Sequence, residues 1–157
     1  MQVILNCEPL EEVYYFMYLG SQVAADGGCD RDVVHRMNDG YRAWRVLKSV
    51  LSNRGLGKNT KKCLYEGVIV PTALYRAEAR GMRSDERRKV NVLEMKCLRS
   101  LDGVTGMDRV RNEVVHRRAG LEKDLASRVD QRVLRWFGHV ERMDEYRLAR
   151  RVLMTEV

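Results

Sequence analysis

The apolar positions of this chain repeat with two different periods, and the change comes at about residue 30. Ahead of it, Val3-Ile4-Leu5 is short and β-branched, and Val13-Tyr14-Tyr15-Phe16-Met17-Tyr18-Leu19 is rich in aromatics. Both compositions suit pleated backbone, so strands are predicted over 2–6 and 13–19. Residues 7–12 between them are predicted as a turn or loop, because Pro9 removes a ladder donor. Gly20 ends the second run, residues 21–24 continue as a strand, and Asp26-Gly27-Gly28 marks a turn.

Beyond that turn the period becomes helical. Val33, Met37, Tyr41, Trp44, Leu47 and Leu51 recur every three or four residues behind Asp30, a fitting N-cap, and Gly55 and Gly57 close the helix. Asn59 or Thr60 is expected to cap a second helix carrying Leu64, Val68 and Ala73 to about Arg80, with a kink or break at Pro71. Ser84 opens a third, with Asp85 and Glu86 at its positive end and Val90, Leu93, Cys97 and Leu101 along its apolar face. Gly103 and Gly106 then break the chain. Asp108 is expected to cap a shorter helix through Arg118, stopped at Gly120. A last long helix runs from about Lys123 to Arg142, and Asp144 restarts a terminal one. The expected fold is mainly α: a β-hairpin region over 1–28, then a bundle of about five helices over 29–157.

Charge is distributed as unevenly as the periods. Residues 1–30 hold five acids and neither Lys nor Arg, leaving 29 basic residues against 17 acids in 31–157, a local surplus of +12. Such a surplus on one folded part favours a polyanionic partner, nucleic acid ahead of an anionic membrane. The start of the chain has no positive n-region, and no apolar run approaches the roughly 18 residues of a membrane span. A nuclear or cytoplasmic protein that is not secreted and has no membrane partner is expected. Cys7, Cys29, Cys63 and Cys97 stand 22, 34 and 34 residues apart. Without the close pairs that a metal knuckle needs, they read as reduced thiols in or near the core.

Charge and aromatics coincide most clearly in 125–142. Leu125, Val129, Val133, Trp136 and Val140 share one helical face. Arg128, Arg132, Arg135, His139 and Arg142 form a stripe along its flank, and guanidinium groups at one-turn spacing can track phosphates along a strand. Trp136 and Phe137 are expected in the core. Two lesser basic clusters are Arg83-Arg87-Arg88-Lys89 and Arg109-Arg111-Arg117-Arg118. His35, His116 and His139 stand far apart, no nucleophile–base arrangement or phosphate loop is readable, and the acids mostly sit at helix starts. Catalysis by this chain alone is not expected.

Several segments together resemble one family. Phe16-Met17-Tyr18-Leu19-Gly20 followed by Asp26-Gly27, then Lys62-Cys63-Leu64-Tyr65, Val70-Pro71-Thr72-Ala73-Leu74-Tyr75, Glu78, Leu93-Glu94, Cys97-Leu98-Arg99, Arg109-Val110-Arg111-Asn112 and Leu134-Arg135-Trp136-Phe137-Gly138-His139-Val140 occur in that order. The series resembles the region after the catalytic palm of non-LTR (LINE-type) retrotransposon reverse transcriptases, and the likeness covers essentially the whole chain. It implies that residues 1–7 correspond to the tail of the palm. Residues 13–25 correspond to the primer-grip hairpin, with Tyr18, Leu19 and Gly20 in the grip-like position, and the chain from about 30 onward to the helical thumb and the region beyond it. The resemblance also implies that the paired aspartates and their Mg belong to a palm upstream. This chain is therefore expected to hold no cofactor and to be no polymerase by itself. Its expected partners are nucleic acid, duplex or single-stranded, and the remainder of a polymerase. Arg76 stands where such sequences carry Gly, and Arg80 where they carry Trp.

The nucleic-acid contacts are expected at Arg128, Arg132, Arg135 and Arg142, with Arg31, Arg42 and Arg45 on the first helix. Two rival readings remain: a helical protein–protein interaction module, and a translated retroelement remnant without function.

Overall fold

The computed structural model describes residues 4–5, 8–27, 30–79 and 82–155. The chain divides into two compact units, 1–35 and 36–157. It is mainly helical, with an antiparallel β-hairpin near the N-terminus followed by helices.

In the first unit, β1 (Ile4–Leu5) pairs with β2 (Glu8–Pro9) in a two-residue antiparallel ladder. Part of the expected loop is therefore paired. Pro9 sits opposite Ile4 at the ladder's end, where a residue without an N–H is tolerated. The longer hairpin joins β3 (Tyr15–Tyr18) to β4 (Ser21–Ala24), with Tyr18 opposite Ser21. Its two-residue tip, Leu19-Gly20, has positive φ at both positions, 48° and 77°. That is the handedness a tight hairpin needs, and Gly20 takes it freely while Leu19 does not. The helix after it, α1 (Asp30–Leu51), starts beside this hairpin. Asp32 accepts the Gln22 amide at 3.1 Å, and the Arg31 guanidinium lies 3.8 Å from the centre of the Tyr15 ring. Cys7, Cys29 and Arg80 lie outside the described residues.

In the second unit, the second helical segment is built in three pieces: α2 (Lys58–Leu64), a π turn (Tyr65–Ile69) and α3 (Val70–Ala73). Its N-cap is Gly57, without a side-chain hydrogen bond, in place of the expected Asn59 or Thr60. Pro71 has no N–H to give to the turn before it, and the wider π turn directly upstream is where the helix adjusts. The buried positions Lys61, Tyr65, Ile69 and Ala73 recur every four residues, a repeat that drifts about 40° per turn on a regular α-helix. The π turn takes up that drift, so Val68, expected on the inner face, is 42% exposed. The segment ends at Ala73, not near Arg80, and a 3-10 turn at Ala77–Ala79 comes after it.

Helix α4 (Ser84–Asp102) is the central element, with Val90, Leu93, Cys97 and Leu101 buried as expected. Arg83 holds its N-cap position instead of Ser84, and Glu86 accepts the Arg83 amide at 2.8 Å. Gly103, at φ 72°, ends it in the left-handed conformation. Its C-terminal end draws cations: buried Lys61 reaches the Leu101 carbonyl at 3.5 Å, while Lys58 and Arg118 pair with the Asp102 carboxylate. Asp108 does not cap α5 (Asn112–Ala119). It accepts the Thr105 amide and hydroxyl, and Arg111 is the N-cap residue of that helix. The order closes with α6 (Leu125–Glu141), capped by Asp124 accepting the Ser127 amide at 2.9 Å, and α7 (Leu148–Met154), with Asp144 four residues before it.

Gly40 marks the tightest crossing. A Cβ there would stand 2.7 Å from Leu93 Cδ2 and 3.0 Å from the Ala73 Cβ, and neither neighbour has room to yield. Alanine would raise helix propensity by about 1 kcal/mol, but overpacking costs about 1–3 kcal/mol. Gly40→Ala should therefore lower the urea midpoint of unfolding. A raised midpoint would mean that the crossing is looser than this geometry.

Candidate nucleic-acid interface

Helix α6 carries the arginine stripe, and its neighbours divide the stripe in two. Arg128 donates to Glu66 at 3.1 Å across to the π turn. Arg132 donates to the Leu74 carbonyl at 3.1 Å, satisfying a backbone acceptor just past the end of α3. Both were expected at phosphates, and both already make bonds within the fold. Their partners lie 62 and 58 positions earlier in the chain, which helical spacing alone does not reveal. Arg135 and Arg142 have no polar partner among the described residues, and both are exposed.

Those two arginines line a cavity of about 610 Å³ together with Arg132, Trp136, His139 and Glu78. Glu78 comes from the Ala77–Ala79 turn, against which α6 packs. Gly138 leaves space for a guanidinium to lie across the helix: a Cβ there would meet Arg142 Nη1 at 3.3 Å. Trp136 and His139 lie side by side, ring centres 5.6 Å apart and planes tilted by 43°. Trp136 is 41% exposed and Phe137 48%, which corrects the expectation that both are core. Of the expected apolar face, Leu125, Val129 and Val140 are buried where α6 packs on α4 and on the 3-10 turn, while Val133 is half-buried and Trp136 exposed.

Arg42 and Arg45 do not line this groove. On α1, Arg42 pairs with Asp39 at 3.1 Å, Arg45 is exposed, and Arg31 stacks on Tyr15 in the first unit. Tyr18, Leu19 and Gly20 form the tip of the β3–β4 hairpin, with Leu19 the most exposed of the hairpin's large apolar side chains at 69%. The two lesser basic clusters are partly engaged. Arg87 forms a bidentate pair with Asp130, whose carboxylate raises the guanidinium pKa, and Lys89 pairs with Asp85. Cys63, expected near the core, is exposed, whereas Cys97 is buried and its thiol is pushed up to about 12 by burial.

Sequence reasoning missed a second polar cluster. Glu94 is 1% exposed in the centre of α4. Its Oε1 accepts the Tyr65 hydroxyl at 3.2 Å, its Oε2 accepts the Leu125 amide at 3.0 Å, and His116 Nε2 lies 3.5 Å from Oε2. Burial pushes the Glu94 carboxyl above the ordinary range, although the Leu125 amide, His116 and Tyr65 all pull it down. Burial likewise raises the Tyr65 hydroxyl. The readable signal was an acid on an apolar stripe, since Glu94 lies four residues after Val90 and three before Cys97. Beside the cluster is a cavity of about 510 Å³, lined among others by Glu113, His116 and Asp124. Among the described residues no group of three or more His, Cys, Asp or Glu side chains is placed to hold a metal ion, and no helix is long and apolar enough to cross a membrane.

Comparison of the chain with protein-family models, curated proteins and solved structures finds no match.

Proposed function

We propose that the helical unit is a nucleic-acid-binding module, similar in role to the thumb and post-thumb region of a LINE-type reverse transcriptase, and that it binds without performing chemistry. The observation that carries the reading is the groove on α6. Two exposed guanidinium groups without polar partners among the described residues flank an exposed indole there, against a single acid, Glu78. Arginine without an internal partner is suited to bidentate contact with phosphate, and that contact is independent of sequence. The +12 surplus of 31–157 supplies the longer-range attraction. Strain at Arg76 supports the family likeness: its φ is 55°, in the left-handed region that glycine adopts without cost, and family sequences carry Gly at this position. Phosphoryl transfer needs carboxylates converging on metal ions, and the groove offers one carboxylate.

The test is fluorescence anisotropy of a labelled primer–template and of its separate strands, titrated with the full chain at low salt and again at higher salt. Binding that weakens steeply with salt is expected. Absence of binding at low salt would contradict the reading.

A second reading, docking of another protein chain, is favoured by the apolar side chains that α6 and α7 leave exposed, Leu134, Phe137, Leu148 and Val152 among them. A stable dimer by light scattering together with no affinity for nucleic acid would favour it over the first.

A further inference from the structure

We infer that the α6 groove takes a single-stranded nucleic acid, one base stacked on the Trp136 indole and the flanking phosphates held by Arg135 and Arg142; this rests on the nucleic-acid reading of the groove. Arg135 and Arg142 are two helical turns apart, about 10 Å along the axis, and point to nearly the same side. Trp136 and His139 lie between them in sequence and line the same cavity. A strand held by the two arginines therefore meets an aromatic side chain between one phosphate contact and the next. Arg132 lines the cavity too, but its hydrogen bond to Leu74 fixes it as part of the frame.

The indole selects the form of the ligand. A base inside a duplex has both faces covered by its neighbours, so only a single strand, an overhang or an extruded base offers a free face to Trp136. The cavity, at about 610 Å³, has room for a base. Glu78, which lines the same cavity, repels phosphate and accepts hydrogen bonds from amino groups or ring N–H groups. It thus favours a base, not the backbone, as its neighbour. Stacking on indole tolerates any base, so little sequence preference is expected.

The experiment uses the full chain with a short oligodeoxynucleotide of mixed sequence and the same strand annealed to its complement. Trp44, half-buried with its Nε1–H donated to Ser100 at 3.1 Å, is the only other tryptophan. A Trp44→Phe background, shown by circular dichroism to keep its helix, leaves Trp136 as the sole reporter. The single strand is expected to quench Trp136 emission and to bind more tightly than the duplex. Trp136→Ala should lose roughly 5- to 150-fold in affinity for the single strand, while Trp136→Phe, which keeps an aromatic face, retains most of it. If Trp136→Ala does not fold, the quenching and the Phe variant decide. Duplex bound as tightly as single strand with unchanged Trp136 emission would overturn the inference and leave the nucleic-acid reading standing. A Phe variant as weak as the Ala variant would also overturn it. No binding of either nucleic acid at low salt would remove both.

Discussion

Replacing Glu94 with alanine should cost about 3–5 kcal/mol of stability, the scale set by breaking a buried, hydrogen-bonded ionisable cluster. The carboxylate joins four elements: it sits on α4, accepts from Tyr65 in the π turn and from Leu125 at the start of α6, and faces His116 of α5. Alanine leaves the Tyr65 hydroxyl and the Leu125 amide buried without that acceptor, at about 1–3 kcal/mol for each unsatisfied group, and opens a cavity where the side chain was. Small domains hold only about 5–15 kcal/mol in total, so chemical denaturation should place this variant close to unfolding. Glu94→Gln keeps an acceptor for Leu125 and should cost much less.

The same carboxyl contributes a pH dependence of defined sign. Burial raises its folded pKa above the ordinary carboxyl value of 4.5, so the folded chain holds this proton more tightly than the unfolded chain. Its contribution to stability is then full below that ordinary value and is lost as pH rises through the raised one. Asp124, nearby, strengthens the effect, while His116 opposes it. Glu94→Gln removes the titration, and its stability should fall less between mildly acidic and neutral pH than that of the parent. Equal slopes in the two proteins would show that the carboxyl is not held above its ordinary range.

How much of this was legible depended on whether the cause was local. The inner face of α4 was readable from Val90, Leu93, Cys97 and Leu101 alone, because a 3.6-residue period needs no knowledge of neighbours. The strand runs and the Gly103 and Gly120 stops were readable for the same reason: β-branched and aromatic side chains, and glycine at positive φ, act within a few residues. Pro71 announced a disturbance, but not its form, a π turn that leaves Val68 exposed. Gly40 carries no sequence signal of its role, which comes from the approach of Leu93 and Ala73.

The arginine stripe shows the same division at the candidate site. Spacing placed Arg128, Arg132, Arg135 and Arg142 on one flank of α6. Glu66 and the Leu74 carbonyl, distant in sequence, then engage the first two. The exposure of Trp136 was not legible either, since an apolar period does not show which positions of a stripe a neighbour will cover. The consequence is a sharper candidate: two arginines and an indole in one groove, instead of seven arginines on two helices.

That narrowing sets the second large effect. Each phosphate contact contributes about 0.7–0.9 to the slope of log affinity against log salt. Removing Arg135 and Arg142 together should reduce the slope by about 1.4–1.8, so that over a fourfold rise in salt the variant loses about tenfold less affinity than the parent. Neither side chain has a polar partner among the described residues, so the melting temperature should hardly move. Arg128→Ala with Arg132→Ala should do the reverse: lower the melting temperature by removing the hydrogen bonds to Glu66 and the Leu74 carbonyl, and change the slope little.

The most direct measurement is therefore the salt dependence of single-strand binding for the parent and these two double variants, each with its melting temperature. A flattened slope with unchanged melting is expected for Arg135→Ala/Arg142→Ala, and lowered melting with nearly the parent slope for Arg128→Ala/Arg132→Ala. A parent slope retained after loss of Arg135 and Arg142 would contradict it.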